Sequence, residues 1–389
     1  MTRIPPGRLA AVLVAAVALI ALWPVLPAPH QLALGRASGE GPAHLWGLWT
    51  TAEGLWTHGP FLRVSEVNHP AGLRAELIDP VNLLVFWPVW WVTGGGATGA
   101  VLGWNAIHLA AVVAAGWGGW LLATRILPDA PCRLVLVAAT AGTPYLLASL
   151  GLGRTEYLAG AWYVLHLAFL HRHLSTDRRA TDTLAALASL VGLAHSGWIV
   201  PLWVLLIEPP LAIIFARQLP GTRTRVTRIA QVALPAVLLS LPVLFNVLDT
   251  SPWWLTKTRY TDLTYAGPVV PIQSLLPGMT NAAVGGGAEA APYPGALLVA
   301  LAILGSWKYH RARGWLLLGG LLFVAALGRE VQWAGAAGPE WKVYMPIAWL
   351  TSSVQLFRGV TSWSRLGMFL GFPLGVAAAW GVHALGKRW

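Results

Sequence analysis

Apolar residues in this chain come in long unbroken runs rather than in alternation. The main runs cover residues 9–26, 100–123, 134–150, 157–170, 184–194, 198–215, 229–248, 295–307, 315–327 and 366–385. Roughly 20 apolar residues cross a bilayer as a helix, and several runs approach or exceed that length. A membrane β-barrel would instead alternate over segments of about ten residues. The pattern therefore predicts an all-α, polytopic, helical membrane protein of about ten spans, with residues 1–389 forming one integral membrane domain. Residues 27–99, 249–294 and 328–364 fall between spans. Within the first of these, 39–59 can form an amphipathic helix that sets His44, Leu48 and Leu55 near helical spacing and Trp46, Trp49 and Trp56 at headgroup level. The apolar stretch 80–92 is too short to span and suits a re-entrant or interfacial helix. A breaker at 94–99 follows it, and 344–350 can dip into the membrane in the same way. The first run follows Arg3 and Arg8 and is too long for a signal-peptide core, so it is expected to be a retained span.

Composition agrees with this pattern. The chain is 56% hydrophobic and 11% charged, where a soluble domain carries about 25% charged residues. The net charge of +11 would suggest nucleic acid in another setting. Here it follows the topology. With both termini inside, the inner loops hold 16 Lys/Arg and 3 Asp/Glu, while the outer loops hold 10 and 11. That is the bias of the positive-inside rule. The remaining acid, Glu208, lies within a span before Pro209-Pro210 and is expected to be a satisfied group at a helix kink. A single cysteine, Cys132, excludes an intrachain disulfide. No cysteine–histidine set has zinc spacing, and there is neither a phosphate-binding GxxxxGK[ST] loop nor a dinucleotide fingerprint after a strand.

The chemistry-bearing residues gather in the outer loops. Residues 38–80 hold five of the fifteen carboxylates: Glu40, Glu53, Glu66, Glu76 and Asp79. On the outer face the topology collects Glu40, His44, His69 and Asp79 from the first loop. It adds Arg154 and Glu156 from a Gly-rich turn, His195 from another turn, and Arg358 and Arg365 before the last span. Acids and arginines at one membrane face can handle an anionic, lipid-linked substrate. Arginine clamps phosphate in a bidentate fork, and a carboxylate within hydrogen-bond reach can take a hydroxyl proton. Each also has an ordinary role. Glu40 and Glu156 sit where helix N-termini favour acids, the arginines can snorkel to headgroups, and the tryptophans suit an interfacial belt.

In order and spacing these residues resemble the GT-C superfamily of polytopic membrane glycosyltransferases, in its bacterial branches. Glu40, His44, Trp46 and Trp49 match the pattern acid-x-x-x-His-x-Trp-x-x-Trp. Thr143-Pro144-Tyr145 and Gly153-Arg154-Thr155-Glu156 follow in the expected order, and the string from Phe357-Arg358 to Arg365 precedes the final span. The first acid is Glu where the family pattern has Asp, and no proline separates the two late arginines. The resemblance implies an inverting transferase that takes a sugar from a polyprenyl-phosphate donor at the outer face of the bacterial inner membrane. Glu40 would be the general base. Arg358 or Arg365, with Arg154, would hold the donor phosphate. His44 and Glu156 would orient the acceptor or a divalent ion. Metal need differs within the class, with Glu40 and Glu156 as the candidate ligands. His69, Asp79 and His195 complete the expected substrate-binding set. Neither sugar nor acceptor follows from the sequence. Two further classes stay open: a lipid or solute transporter, which would carry ionisable residues within spans, and a GT-C-like subunit that has lost chemistry.

Overall fold

The computed structural model describes residues 4–35, 41–57, 63–64, 73–74, 79–153, 155–196, 200–249, 270–271, 294–328, 330–335, 338–353 and 363–387. The chain is mainly helical, as the apolar runs predict. Its helices are α1 (Pro6–Leu22), α2 (Gly41–Thr57), α3 (Pro80–Val92), α4 (Gly96–Ile126), α5 (Ala130–Ala141), α6 (Pro144–Leu152) and α7 (Ala159–His173). They continue with α8 (Ala180–His195), α9 (Val200–Ala216), α10 (Thr222–Asp249), α11 (Ala296–Lys308), α12 (His310–Ala326), α13 (Pro346–Ser353) and α14 (Gly371–Gly386). Among the described residues, three stretches are long and apolar enough to cross a membrane: Pro6–Val25, Gly96–Ile126 and Ala130–Gly151.

The structure departs from the sequence pattern at two places. The run 134–150 is not one helix. It breaks between α5 and α6 at Gly142-Thr143-Pro144, because proline disfavours helical geometry in the residue before it and cannot donate to the preceding turn. The stretch expected to be an outer loop, 328–364, holds strands as well as a helix among its described residues. β4 (Glu330–Gly335) and β5 (Gly338–Tyr344) form an antiparallel hairpin in which Val331 faces Val343 and Trp333 faces Trp341. A two-residue strand, β3 (Val270–Pro271), runs parallel to β4. A second small ladder pairs β1 (Arg63–Val64) with β2 (Leu73–Arg74).

The chain forms two compact units. The first comprises Met1–Val14, Gly119–Ser149 and Val247–Trp389. Its centre is α14, where every residue from Gly371 to Ala379 is buried. Without a hydrophobic effect inside lipid, helices hold together by close packing through small residues. A Cβ on Gly371 would lie 2.6 Å from the Ala139 carbonyl oxygen, and one on Gly375 would lie 2.7 Å from Ala139 Cβ. This face therefore lets α5 in. On another face, a Cβ on Gly305 of α11 would lie 2.6 Å from the Gly381 nitrogen, and one on Gly319 of α12 would lie 2.6 Å from Leu374 Cδ2. Trp315 meets Phe372 edge to face at 5.3 Å.

The second unit comprises Ala15–Gly118 and Leu150–Asn246. The segment after α1 is strapped to α4 by two neighbouring side chains. Asn105 accepts from the Leu34 N–H and donates to the carbonyls of Pro29 and Leu32, and Trp104 Nε1 donates to the Leu34 carbonyl at 2.7 Å. Helix α3 folds back on α4 through a corner of three glycines, Gly94, Gly95 and Gly96, all at positive φ (84°, 72° and 64°). Nothing lies within 4 Å of a Cβ built on Gly94 or Gly96, so backbone torsion and not space selects glycine there. Gly103 then admits Phe86 of α3, and Gly118 admits the α7 backbone at Leu165. The end of this unit read as cytoplasmic is cross-tied by Arg172–Asp182 at 3.0 Å and by Arg178 to Gln231 at 2.8 Å. His173 adds hydrogen bonds with Thr183 and the Arg228 carbonyl.

Candidate functional site

Asp79 opens α3 in a conformation that L-residues seldom adopt, φ 61° and ψ 66°. Proline follows it, which disfavours helical geometry further. A backbone of this kind costs about 1–3 kcal/mol and persists only where its surroundings over-determine it. The surroundings here are polar and buried. One Asp79 carboxylate oxygen accepts from the Asn82 backbone N–H, which caps the helix, and the other accepts from the Asn82 side chain. Asn82 itself reaches the Thr155 carbonyl at 3.5 Å and accepts from Trp162 Nε1 at 3.0 Å. The hydroxyls of Ser196 and Thr155 stand near enough to Asp79 to favour its charged form, and the Ser196 hydroxyl donates to the Gly192 carbonyl at 3.0 Å. Thr155 Oγ1 in turn lies 3.3 Å from His44 Nδ1. One buried network thus joins the first turn of α2, the start of α3, the 3-10 turn Thr155–Leu158 and α7.

Asp79 is 3% exposed. Burial pushes its carboxyl up to about 7, against the hydrogen bonds from Asn82 and the nearby hydroxyls of Ser196 and Thr155 that pull it down. Near neutral pH this group is poised to gain or lose a proton, while both oxygens are already engaged by the protein. That suits a group that fixes the site from within.

The same corner gathers the described neighbours of two other candidates. Residues 36–40 lie outside the described residues, and so do Arg154, His69 and Arg358. Their flanks are described. Gly153 is left-handed (φ 68°), and a Cβ on it would sit 3.1 Å from the Leu34 carbonyl oxygen and 3.3 Å from Trp104. Leu34 and Gly35 precede the Glu40 segment, and Gly41 begins α2 after it. Gly153 and Thr155 bracket Arg154. These two brackets meet twice, at Gly153 with Leu34 and at Thr155 with His44. Glu156 follows within the same 3-10 turn. His195 stands in the last turn of α8, where its Nδ1 donates to the Val191 carbonyl at 2.7 Å; its neighbour Ser196 donates to the Gly192 carbonyl and stands near Asp79. Arg365 belongs to the first unit, half-buried in a 3-10 turn, Trp363–Phe369.

Sequence reasoning did not single out Asn82, Thr155, Trp162 or Ser196. The signal for Asn82 was present. It stands three residues after Asp79 and two after Pro80, where an N-capping carboxylate reaches across the first turn. Asn105 had a weaker signal, an amide inside an otherwise apolar run.

Glu208 takes part in a second network of the same unit. Its carboxylate accepts from the Tyr163 hydroxyl at 2.9 Å and lies 2.8 Å from His166 Nε2, and His166 Nδ1 meets Ser189 Oγ at 2.8 Å. This satisfies the acid beside its two prolines, as expected. It also places a carboxylate, an imidazole, a phenol and a hydroxyl in line within an apolar bundle. Comparison of the chain with family models, with curated proteins and with solved structures finds no match.

Proposed function

We propose that the chain is a membrane glycosyltransferase of GT-C type, with about ten spans, both termini cytoplasmic and its working face outside the inner membrane. It would transfer a sugar from a polyprenyl-phosphate-linked donor to an acceptor hydroxyl. The observation that carries this reading is the meeting, in one buried polar corner, of the residues flanking Glu40 with those flanking Arg154 and Glu156. The sequence separates these segments by more than a hundred residues, and the resemblance requires them to act together.

In this mechanism Glu40 takes the proton from the acceptor hydroxyl as its oxygen attacks the anomeric carbon. The anomeric carbon–oxygen bond breaks with inversion, and polyprenyl phosphate leaves. Arg154 with Arg358 or Arg365 neutralises the charge that builds on the leaving phosphate. His44 and Glu156 orient the acceptor, and a divalent ion, where one is used, would draw on Glu40 and Glu156. His69 and His195 complete the substrate-binding set. Asp79 holds the entry to α3 and so fixes the corner where the described residues flanking Glu40 and Arg154 meet.

The test is transfer of radiolabelled sugar from a panel of polyprenyl-phosphate sugars in membranes expressing wild type or Glu40→Gln at matched levels. Transfer by the wild type and a fall of about 100-fold or more in the variant is the expected outcome, the scale of a lost general base. A fully active variant would remove Glu40 as the base. Absence of transfer from every donor, with folded protein, would discard the enzyme reading in favour of the transporter or a subunit that has lost chemistry.

The transporter reading has one specific observation in its favour, the Glu208–His166–Tyr163 network, since ionisable groups within spans often mark proton or substrate paths. Proteoliposomes that translocate a labelled polyprenyl lipid without sugar transfer, and lose that movement in Glu208→Gln, would select it.

A further inference from the structure

A cluster outside the corner just described brings together three kinds of metal ligand. Asp129 is the N-cap of α5: its Oδ1 accepts from the Cys132 N–H at 3.0 Å. Its Oδ2 lies 2.5 Å from His383 Nδ1, on α14. Cys132, one turn into α5, is fully buried. The carboxylate oxygen, the thiol sulfur and the imidazole nitrogen all lie within 4.8 Å of one another.

The positions follow from the helix packing. Gly371 and Gly375 seat α14 against Ala139 and Leu136 of α5. The two helices run antiparallel, so moving seven residues down from Leu136 to Asp129 corresponds to moving eight up α14 from Gly375 to His383. The ligands therefore stand on a close-packed helix pair, which holds geometry better than loops do. Tyr309 and Trp380 pack against the His383 ring at 5.4 and 5.6 Å between centroids, and they restrict its rotation.

We propose that Asp129, Cys132 and His383 form a binding site for a borderline-soft divalent cation of the zinc class. One thiolate, one imidazole and one carboxylate make a tridentate set with a fourth position open to water. Binding releases the thiol proton, and the imidazole proton moves from Nδ1 to Nε2 so that Nδ1 can face the cation. Ligand distances of about 2.0–2.3 Å place the nitrogen and oxygen roughly 3.3 Å apart. The close His383–Asp129 pair must therefore open by somewhat under an ångström, which side-chain torsions supply. The site is independent of the glycosyltransferase reading and uses none of its residues.

The experiment uses the full chain, purified in detergent through a tag without histidines. After equilibration with Zn²⁺ and removal of free metal, elemental analysis should give one zinc per chain. With Co²⁺ in place of zinc, a thiolate-to-cobalt charge-transfer band should appear in the near ultraviolet. Since Cys132 is the sole cysteine, that band reports this site alone and ignores any metal held by outer-face carboxylates. Cys132→Ser should abolish the band, and His383→Gln should lower metal occupancy at least tenfold. Zn²⁺ should also raise the thermal midpoint of the wild type relative to the chelator-treated protein, a readout that holds even where a variant fails to fold. Folded wild type that shows no cobalt band and no zinc-dependent midpoint shift would overturn the proposal, as would a band that survives Cys132→Ser.

Discussion

Asp79 concentrates three costs in one residue: a left-handed backbone, a proline behind it and a buried carboxyl. Its ordinary pKa is close to 4, and in the folded protein burial raises it to about 7. The folded state therefore binds this proton more tightly than the unfolded state does. Its contribution to stability is complete below about pH 4 and is lost as pH rises through 7, an effect on the order of a few kcal/mol. Asn at this position keeps a cap acceptor, tolerates positive φ and cannot ionise. In Asp79→Asn the fall in thermal midpoint between pH 4 and pH 8 should flatten; equal slopes in the two proteins would show that Asp79 does not carry it. Asp79 itself was legible in the sequence, as an acid at the Pro start of a short apolar helix. Its partners were not, because Asn82, Thr155 and Ser196 are uncharged and acquire meaning only once four helices bring them together.

At the scale of elements, the chain's punctuation read well and its interruptions read poorly. Helix α3 begins at Pro80 and ends at Val92 just before the glycine corner, where proline and glycine had marked it. The break between α5 and α6 carried an equally plain sign in Gly142-Thr143-Pro144, but hydropathy averaged over the run concealed it. The β4–β5 hairpin also had its signal. Polar Glu330 and Gln332 alternate with Val331 and Trp333, and Glu340 and Lys342 alternate with Trp341 and Val343. A period of two over so few residues is lost beside runs of twenty. Packing within the first unit yields a sharper expectation. Gly305 and Gly381 bring α11 and α14 to backbone contact, whereas a Cβ on Gly314 meets nothing within 4 Å. Gly305→Val should therefore remove most folded, monodisperse protein, while Gly314→Ala should leave its yield unchanged or slightly higher. Size-exclusion profiles of detergent extracts distinguish the two.

For the molecule as a whole, the helical membrane class was legible from run length alone, and charge asymmetry supplied an orientation. How distant segments come together was not legible, because no local pattern encodes that Gly153 lies against Leu34 or that Asp129 meets His383. The orientation can be checked with introduced thiols. Native Cys132 is buried and gives a low background with a membrane-impermeant maleimide. His30→Cys, at an exposed position after the first span, should label in intact cells. Arg223→Cys, exposed at the start of α10, should label only after permeabilisation. The reverse pattern would invert the proposed topology.

The corner at Gly94-Gly95-Gly96 has a bearing on how this sequence can change over time. Any L-residue in the left-handed region costs about 1–2 kcal/mol, and three such positions are adjacent here. Single-nucleotide changes from glycine codons lead mostly to alanine, serine, valine, arginine or acidic residues. Two of these sites have ample room for a side chain, so bulk does not decide what survives. Drift at this corner should therefore run toward aspartate, and through it to asparagine, while alanine, the usual harmless replacement, should be among the substitutions purged. Gly314 and Gly320, equally open but in ordinary helix, should show the opposite preference.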